Sequence, residues 1–452
     1  MVLSASHLGL SLGSERREIF DGVSCGLNEG ETGLVIGRSG SGKTALGMAL
    51  CGLLPLWAGR FDLRGRIEFL GRMVEQGVCD PEAGVILEHP YSQLSGLKST
   101  VTGELAFPLE CRGVGRTEML RAVGDAVESL GISHLLGRRV RTLSGGELQR
   151  ALIACALVTR PRFLFLDRPL TEIDTGFRRE VLRVVRTRVR ESRGGALIAE
   201  DPWLVPEESF DTVVRLGPGE EPGATGQSPQ PLITGGPAGR KAPRGDLIRV
   251  ERLRFAYPGG GEILMAVSFS TGRGDISFIT GPNGAGKTTL ARILAGILIP
   301  SGGEIELDGR PYRSMSRYEI TSRVGFAFQN AALHLSRSTV REELAVASAW
   351  GFPAGNLTEI LGLDRLLDTH PLELTQAQRK RLAVALAAGG RRDAVILDEP
   401  AQYQDEEGFR MLDDAIRHIA ASGAAVLLIS HDPRLLAVFP DAGEIRMRGP
   451  VP

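Results

Sequence analysis

The sequence predicts an α/β fold present twice, as two domains over residues 1–216 and 246–452, each built on a mostly parallel sheet and joined by a flexible linker over 217–245. Three observations carry this expectation. The segment GRSGSGKT at Gly37 to Thr44 reappears as GPNGAGKT at Gly281 to Thr288, and internal repetition at this scale marks duplicated units. The apolar run FLFLD ending at Asp167 reappears as AVILD ending at Asp398, and the offset of 231 residues that relates these two aspartates also relates Leu143 to Leu374 and Glu200 to His431. Between the copies, Gly217 to Gly245 carries eight glycines and six prolines with almost no apolar residues, which is linker composition. A tether of that length spans roughly 30 Å. The two halves can therefore face each other.

Composition is consistent with two ordinary globular domains. A chain of 452 residues is too long for one such domain, and each half is long enough to bury its own core. A formal net charge of -1 gives no electrostatic case for nucleic acid. The five cysteines, Cys25, Cys51, Cys79, Cys111 and Cys155, all lie in the first half and form no CxxC pair. Neither a zinc site nor a disulfide framework is expected, and the bland expectation is reduced, mostly buried thiols. The N-terminal segment MVLSASHLGLSLGSERR has neither a basic start nor a sustained apolar stretch, so no signal peptide is expected. No run reaches the roughly 18 apolar residues of a membrane span; the longest candidates, Ala151 to Val158 and Ala424 to Ile429, have the length of a buried strand or helix. Action at a membrane would go through partners.

In each half a β-rich run, Thr32 to Ile36 or Ile276 to Thr280, enters the glycine loop, and a helix-forming stretch follows, Ala45 to Leu53 or Leu290 to Leu298. Short apolar strands, Phe163 to Leu166 and Val395 to Leu397, precede the two aspartates, and Ala196 to Ala199 and Ala425 to Ile429 supply the next strands. Alternation of strand and helix implies a parallel sheet with ligand at the carboxyl ends of its strands.

A GxxxxGK[ST] loop between a strand and a helix is a phosphate cradle, because its glycines let backbone N–H groups close around phosphate and the helix N-terminus adds positive potential. Gly37, Arg38, Ser39, Gly40, Ser41, Gly42, Lys43 and Thr44 form the first cradle; Gly281, Pro282, Asn283, Gly284, Ala285, Gly286, Lys287, Thr288 and Thr289 form the second. Lys43 and Lys287 would reach the β- and γ-phosphates of ATP, and Thr44 and Thr288 would offer hydroxyls to Mg²⁺. Only five of the 53 basic residues are lysines, and two of the five occupy these loops. Asp167 and Asp398 end apolar strands, where a carboxylate holds magnesium through water. Glu399 follows Asp398, in position to activate water. Arg168 follows Asp167. A guanidinium cannot accept a proton, so the first half lacks a base.

LSGGE at Leu143 to Glu147, continuing as LQR, resembles the signature of ATP-binding-cassette proteins, and the resemblance covers nearly all of both halves outside the linker. It implies two P-loop cassette domains, each with a parallel sheet core and a helical subdomain, that pair head to tail within the chain. Each signature then caps the ATP held by the other half. Ser144, Gly145, Gly146 and Glu147 would thus approach the γ-phosphate held by the second loop, where small residues and exposed donors are needed.

The family motifs map unequally. The second half has Tyr257 in FAYP to stack on adenine, Gln329 to sense the γ-phosphate and magnesium, Glu399 as base and His431 in SHD as the switch that contacts the γ-phosphate. The first half has Leu12, Glu88, Arg168 and Glu200 at those places, while its signature is intact and the second half's is altered to LTQAQ around Thr375. In head-to-tail pairing both sets of changes fall on one composite site. The other site, which combines Tyr257, Lys287, Gln329, Asp398, Glu399 and His431 with Ser144, is complete. Arg168 could ion-pair with Glu88 or Glu200 and hold the degenerate site closed.

The stretch Val85 to Arg116, with Pro90, Gln93-Leu94, Thr100-Val101, Glu104, Ala106-Phe107 and Gly113-Val114, resembles the paired ATPases of energy-coupling-factor importers, which take up vitamins or cobalt and nickel ions. That resemblance implies a membrane scaffold subunit and a substrate-binding membrane subunit as partners, at the cytoplasmic face of the membrane. Two other readings stay open. A soluble tandem cassette protein acting on ribosomes typically has a long charged helical linker and two intact sites, unlike this chain. A fused sugar-importer ATPase also has unequal halves but matches Val85 to Arg116 less well.

Overall fold

The computed structural model describes residues 1–12, 17–54, 61–88, 93–171, 173, 175–202, 204–217, 246–257, 261–282, 284–348, 355–390 and 392–447. The expected linker beyond Gly217, and Asn283 and Pro90, lie outside the described residues. The chain divides into two compact units, Met1–Pro229 and Gln230–Pro452.

Each unit contains a five-stranded parallel sheet of the same topology. In the first unit the order is Ala83–Ile86, Phe163–Asp167, Gly195–Ala199, Thr32–Gly37, Thr212–Leu216. The second unit repeats it as Val324–Ala327, Ala394–Asp398, Ala425–Ile429, Ile276–Thr280, Gly443–Arg446. The inner strands are short apolar runs because both faces are covered, and successive residues enter different cores. Phe163 and Phe165 join one apolar cluster, whereas Leu164 and Leu166 join the other. Val395 and Leu397 are divided from Ala394 and Ile396 in the same way.

A second sheet in each unit was not foreseen from the sequence. Arg17–Leu27, Leu3–Leu12, Phe61–Phe69 and Arg72–Met73 form an antiparallel sheet, matched in the second unit by Glu262–Gly272, Asp246–Ala256, Gly302–Leu307 and Arg310–Pro311. Its long strands carry register shifts, for example between Val250 and Leu253, and these irregularities interrupt the period-2 pattern on which a sequence reading depends.

A helical region completes each unit: Val101–Cys111, Arg116–Ser129 and Gly145–Leu157 in the first, and Val340–Ser348, Gly355–Ile360 and Gln376–Ala388 in the second. The apolar stretch Ala151 to Val158 is therefore helical, whereas Ala425–Ile429 is a strand. The helices after the glycine loops begin at the lysines and stop early, as Lys43–Leu50 and Lys287–Leu294. Gly52 and Gly296 follow, with φ of 71° and 72°, a left-handed conformation that ends a helix. Among the described residues no helix is long and apolar enough to cross a membrane, and no cluster of His, Cys, Asp and Glu could hold a metal ion. The cysteines are free, but only Cys51 is fully buried; Cys79 and Cys111 are exposed. The expectation of buried thiols holds for Cys51 and largely for Cys25 and Cys155, whose pKa burial raises, and fails for Cys79 and Cys111, whose segments lie at the surface.

Candidate functional site

The carboxyl ends of the parallel strands gather the predicted residues within each unit. Strand Thr32–Gly37 runs into the first glycine loop and Ile276–Thr280 into the second. Gly42 and Gly286 cap the following helices with φ of 92° and 86°. A Cβ at Gly42 would lie 2.6 Å from Ile19 Cγ2, and one at Gly286 2.7 Å from Leu264 Cδ2, so glycine is required for both conformation and space. The Lys287 ammonium donates to the carbonyls of Gly281 and Pro282 at 2.7 and 3.1 Å, and Lys43 makes the same contacts with Gly37 and Arg38.

The acid comes from the strand two places along, beyond Gly195–Ala199 in the first unit and Ala425–Ile429 in the second. Thr288 Oγ1 donates to Asp398 Oδ2 at 2.9 Å, and Thr44 donates to Asp167 in the first unit. A hydroxyl and a carboxylate brought together at a phosphate loop are hard oxygen donors of the kind magnesium takes. Burial raises the pKa of both aspartates; that of Asp167 reaches about 6, with Glu88 adding to the rise and Thr44, Arg168 and Lys43 opposing it.

Beyond the aspartates the two units diverge. Glu399 lies partly exposed at the strand end, and its Oε2 accepts from the Ser430 hydroxyl at 3.2 Å and from the His431 N–H at 3.3 Å. Burial, then the neighbouring Asp398, push the Glu399 carboxyl up to about 7, against Lys380, His431 N–H and Ser430. Arg168 is buried. Its guanidinium lies 3.5 Å from Glu88 Oε1 and 3.3 Å from Asp201 Oδ2. The expected pairing of Arg168 with Glu88 is present, and Asp201 joins it. Glu200 uses its two carboxylate oxygens to accept from the N–H groups of Leu170 and Asp201. Burial works against the Arg168 charge, but Asp201, Glu88, Glu200 and Asp167 together hold its pKa above the ordinary arginine value.

The remaining predicted residues flank these strand ends. Tyr257 follows strand Asp246–Ala256, packs edge-on against Phe255 with centroids 4.9 Å apart, and brings its hydroxyl within 3.4 Å of Thr289 Oγ1. Leu12 ends the matching strand of the first unit. Gln329 is exposed just after strand Val324–Ala327, and His431 is exposed after Ala425–Ile429.

Ser144 and Thr375 are the N-caps of helices Gly145–Leu157 and Gln376–Ala388, each in a reciprocal capping box, with Glu147 and with Gln378 respectively. Much of the S-x-x-E and T-x-x-Q pattern is thus helix-start chemistry. The sequence reading missed Asp201, Ser430 and Arg434. Arg434 pairs with Asp432 at 2.6 Å and donates to the carbonyls of Gln404 and Ala401, tying the loop after Glu399 to the segment that carries His431. The constant offset would have paired Asp201 with Asp432, the only sequence signal for either.

The family model for ABC transporter matches residues 20–171 and 264–402, which include both phosphate loops and both acidic strands. The chain belongs to the ABC transporter family. It is an ATPase, and ABC ATPase domains use ATP with Mg²⁺. Among its relatives, a protein of Bacillus subtilis (strain 168), provisionally named HMP/thiamine import ATP-binding protein YkoD, is 29% identical over 98% of this chain and 89% of its own length. A Streptomyces coelicolor protein, provisionally named an ABC transporter ATP-binding protein, is 30% identical over 93% of this chain and 89% of its own. The archaeal ribosome recycling factor aABCE1, in complex with the ribosomal stalk protein aP1, is similar in structure, with a TM-score of 0.61 and 20% identity over 98% of this chain and 89% of that one. At that identity the likeness is one of fold.

Proposed function

We propose that this ABC ATPase energises a membrane importer of the energy-coupling-factor type and hydrolyses ATP at one of two composite sites. The supporting observation is the contrast between the two strand ends: a carboxylate at Glu399 held by Ser430 and His431, against a guanidinium at Arg168 enclosed by Glu88 and Asp201. In this reading residues 1–216 and 246–452 are the two cassettes.

At the hydrolytic site Lys287, Thr288 and the loop N–H groups bind the β- and γ-phosphates, and Tyr257 stacks on adenine. Thr288, Asp398 and Gln329 would hold Mg²⁺, which supplies neutralising charge to the phosphates when bound. Glu399 accepts the proton of the attacking water, with Ser430 and the His431 N–H orienting its carboxylate. Ser144, Gly145 and Gly146 of the other cassette close over the γ-phosphate. At the second composite site Lys43, Thr44 and Asp167 bind nucleotide without a base to split it.

The importer assignment rests on Val85 to Arg116 and on the import role in the name of the Bacillus subtilis relative. Its partners are a membrane scaffold subunit and a substrate-binding membrane subunit. Affinity purification of the full chain from native membranes tests it: the expected result is co-purification of two membrane proteins and fractionation with membranes only in their presence. Nuclease-sensitive sedimentation with ribosomes instead would replace the importer with a ribosome-acting ATPase.

A further inference from the structure

We propose that Lys380 is a positioning residue of the hydrolytic site, clamping the peptide that joins Asp398 to Glu399 so that the Glu399 carboxylate is held toward the attacking water. The inference rests on the reading of Glu399 as the base.

The peptide between Asp398 and Glu399 is held at both ends. Its N–H donates to the carbonyl of Ile429 at 2.8 Å, and its C=O accepts from Lys380 Nζ at 3.3 Å. Glu399 has a left-handed φ of 49°, a region that a residue with a side chain occupies only when its surroundings impose it. The ladder hydrogen bond to Ile429 constrains one edge of the peptide plane. The Lys380 ammonium constrains the other, and the plane sets the direction in which Glu399 leaves the strand.

Lys380 projects from helix Gln376–Ala388, which packs on strand Ala394–Asp398, and it is only 3% exposed. An ammonium in that position carries a large desolvation cost. The charge acts on Asp398 and Glu399, the two carboxylates that flank the clamped peptide, as well as on the Asp398 carbonyl. The first unit serves as an internal comparison. At the 231-residue offset Lys380 corresponds to Gln149, equally buried, neutral, and with its Oε1 lacking a hydrogen-bond partner among the described residues. Arg168 in that unit has the same φ of 49° and the same ladder hydrogen bond, to Ala199, so the turn itself does not require a lysine. The cation is present in the unit that carries the carboxylate and absent from the unit that carries Arg168.

The test uses the full chain with Lys380→Met, which keeps an unbranched apolar stem of four heavy atoms and removes the ammonium, Lys380→Gln, which installs the first unit's residue, and Lys380→Arg. Steady-state turnover, ATP affinity by equilibrium dialysis and the thermal unfolding midpoint are read on each, beside Glu399→Gln. Mispositioning a catalytic group is costly, up to about 100-fold for about 1 Å. The expected result is a kcat lower by about tenfold or more in the Met and Gln variants, with ATP affinity within about twofold of the parent and no lower midpoint. Lys380→Arg should keep more turnover than either. Unchanged kcat in both neutral variants overturns the proposal, as does a loss of kcat matched by loss of ATP affinity and of thermal midpoint, which would mean a structural role only. Should Glu399→Gln stay active, the base assignment itself fails; should it be inactive while both neutral variants turn over normally, only the role of Lys380 fails.

Discussion

Arg168 and Glu399 occupy the same backbone position in the two units. Each follows the aspartate that ends its strand, each has φ of 49°, and each donates its N–H at 2.8 Å to the carbonyl ending the neighbouring strand, Ala199 or Ile429. One turn therefore presents a proton acceptor in one unit and a permanent cation in the other. Glu399→Gln should lower turnover by about 10²–10⁴-fold, the usual contribution of a general base, while preserving ATP binding. Phosphate release and equilibrium nucleotide binding measure the two quantities, and normal turnover by this variant would remove Glu399 from the mechanism.

The same comparison gives Arg168 a structural role, because it is buried against Glu88 and Asp201. Arg168 and Asp201 are about 5% exposed and Glu200 is fully buried, so Arg168→Gln would remove the cation paired with Glu88 and Asp201 and leave Lys43 to face the clustered carboxylates. Removing one partner of a buried ion pair costs about 3–5 kcal/mol. A thermal midpoint lowered by several degrees is expected, with faster amide exchange confined to the first unit. An unchanged midpoint would show that Glu88 and Asp201 are solvated well enough without it.

Tyr257 should contribute to ATP affinity through its ring rather than its hydroxyl. The contact with Thr289 is long, at 3.4 Å, and hydrogen bonds near that limit are weak. Tyr257→Phe should leave ATP affinity near that of the parent, whereas Tyr257→Ala should weaken it. Equal affinity in all three proteins would reduce Tyr257 to the end of a strand.

Ser144→Arg and Thr375→Arg remove equivalent N-caps from equivalent helices, and each should cost about 0.5–2 kcal/mol of stability. Their effects on turnover should differ. If the cassettes pair head to tail as proposed, Ser144 would face the phosphate loop of Lys287 and Thr375 that of Lys43. Ser144→Arg should then abolish hydrolysis as fully as Lys287→Ala, while Thr375→Arg stays largely active. The reverse pattern in steady-state assays would mean that each cassette uses its own signature.

The duplication, the two glycine loops, the acidic strand ends and the arginine at 168 where the other copy has Glu399 are all legible in the sequence. These are local features. A glycine loop between strand and helix, or a carboxylate closing an apolar run, is encoded within a few consecutive residues, and Gly42 and Gly286 show why the encoding is strict. What surrounds those residues depends on packing between distant segments. Neighbouring strands of a parallel sheet come from distant parts of the chain, so Ser430 and the His431 N–H reach Glu399, and Asp201 reaches Arg168, across more than 30 residues. Lys380 is a single lysine in a helix until the helix packs on strand Ala394–Asp398 and brings the ammonium to the Asp398 carbonyl. The antiparallel sheets stayed hidden because their register shifts break the alternation that would have announced them. The functional reading of Ser144 and Thr375 likewise needed the structure to show that a helix cap accounts for part of the same pattern.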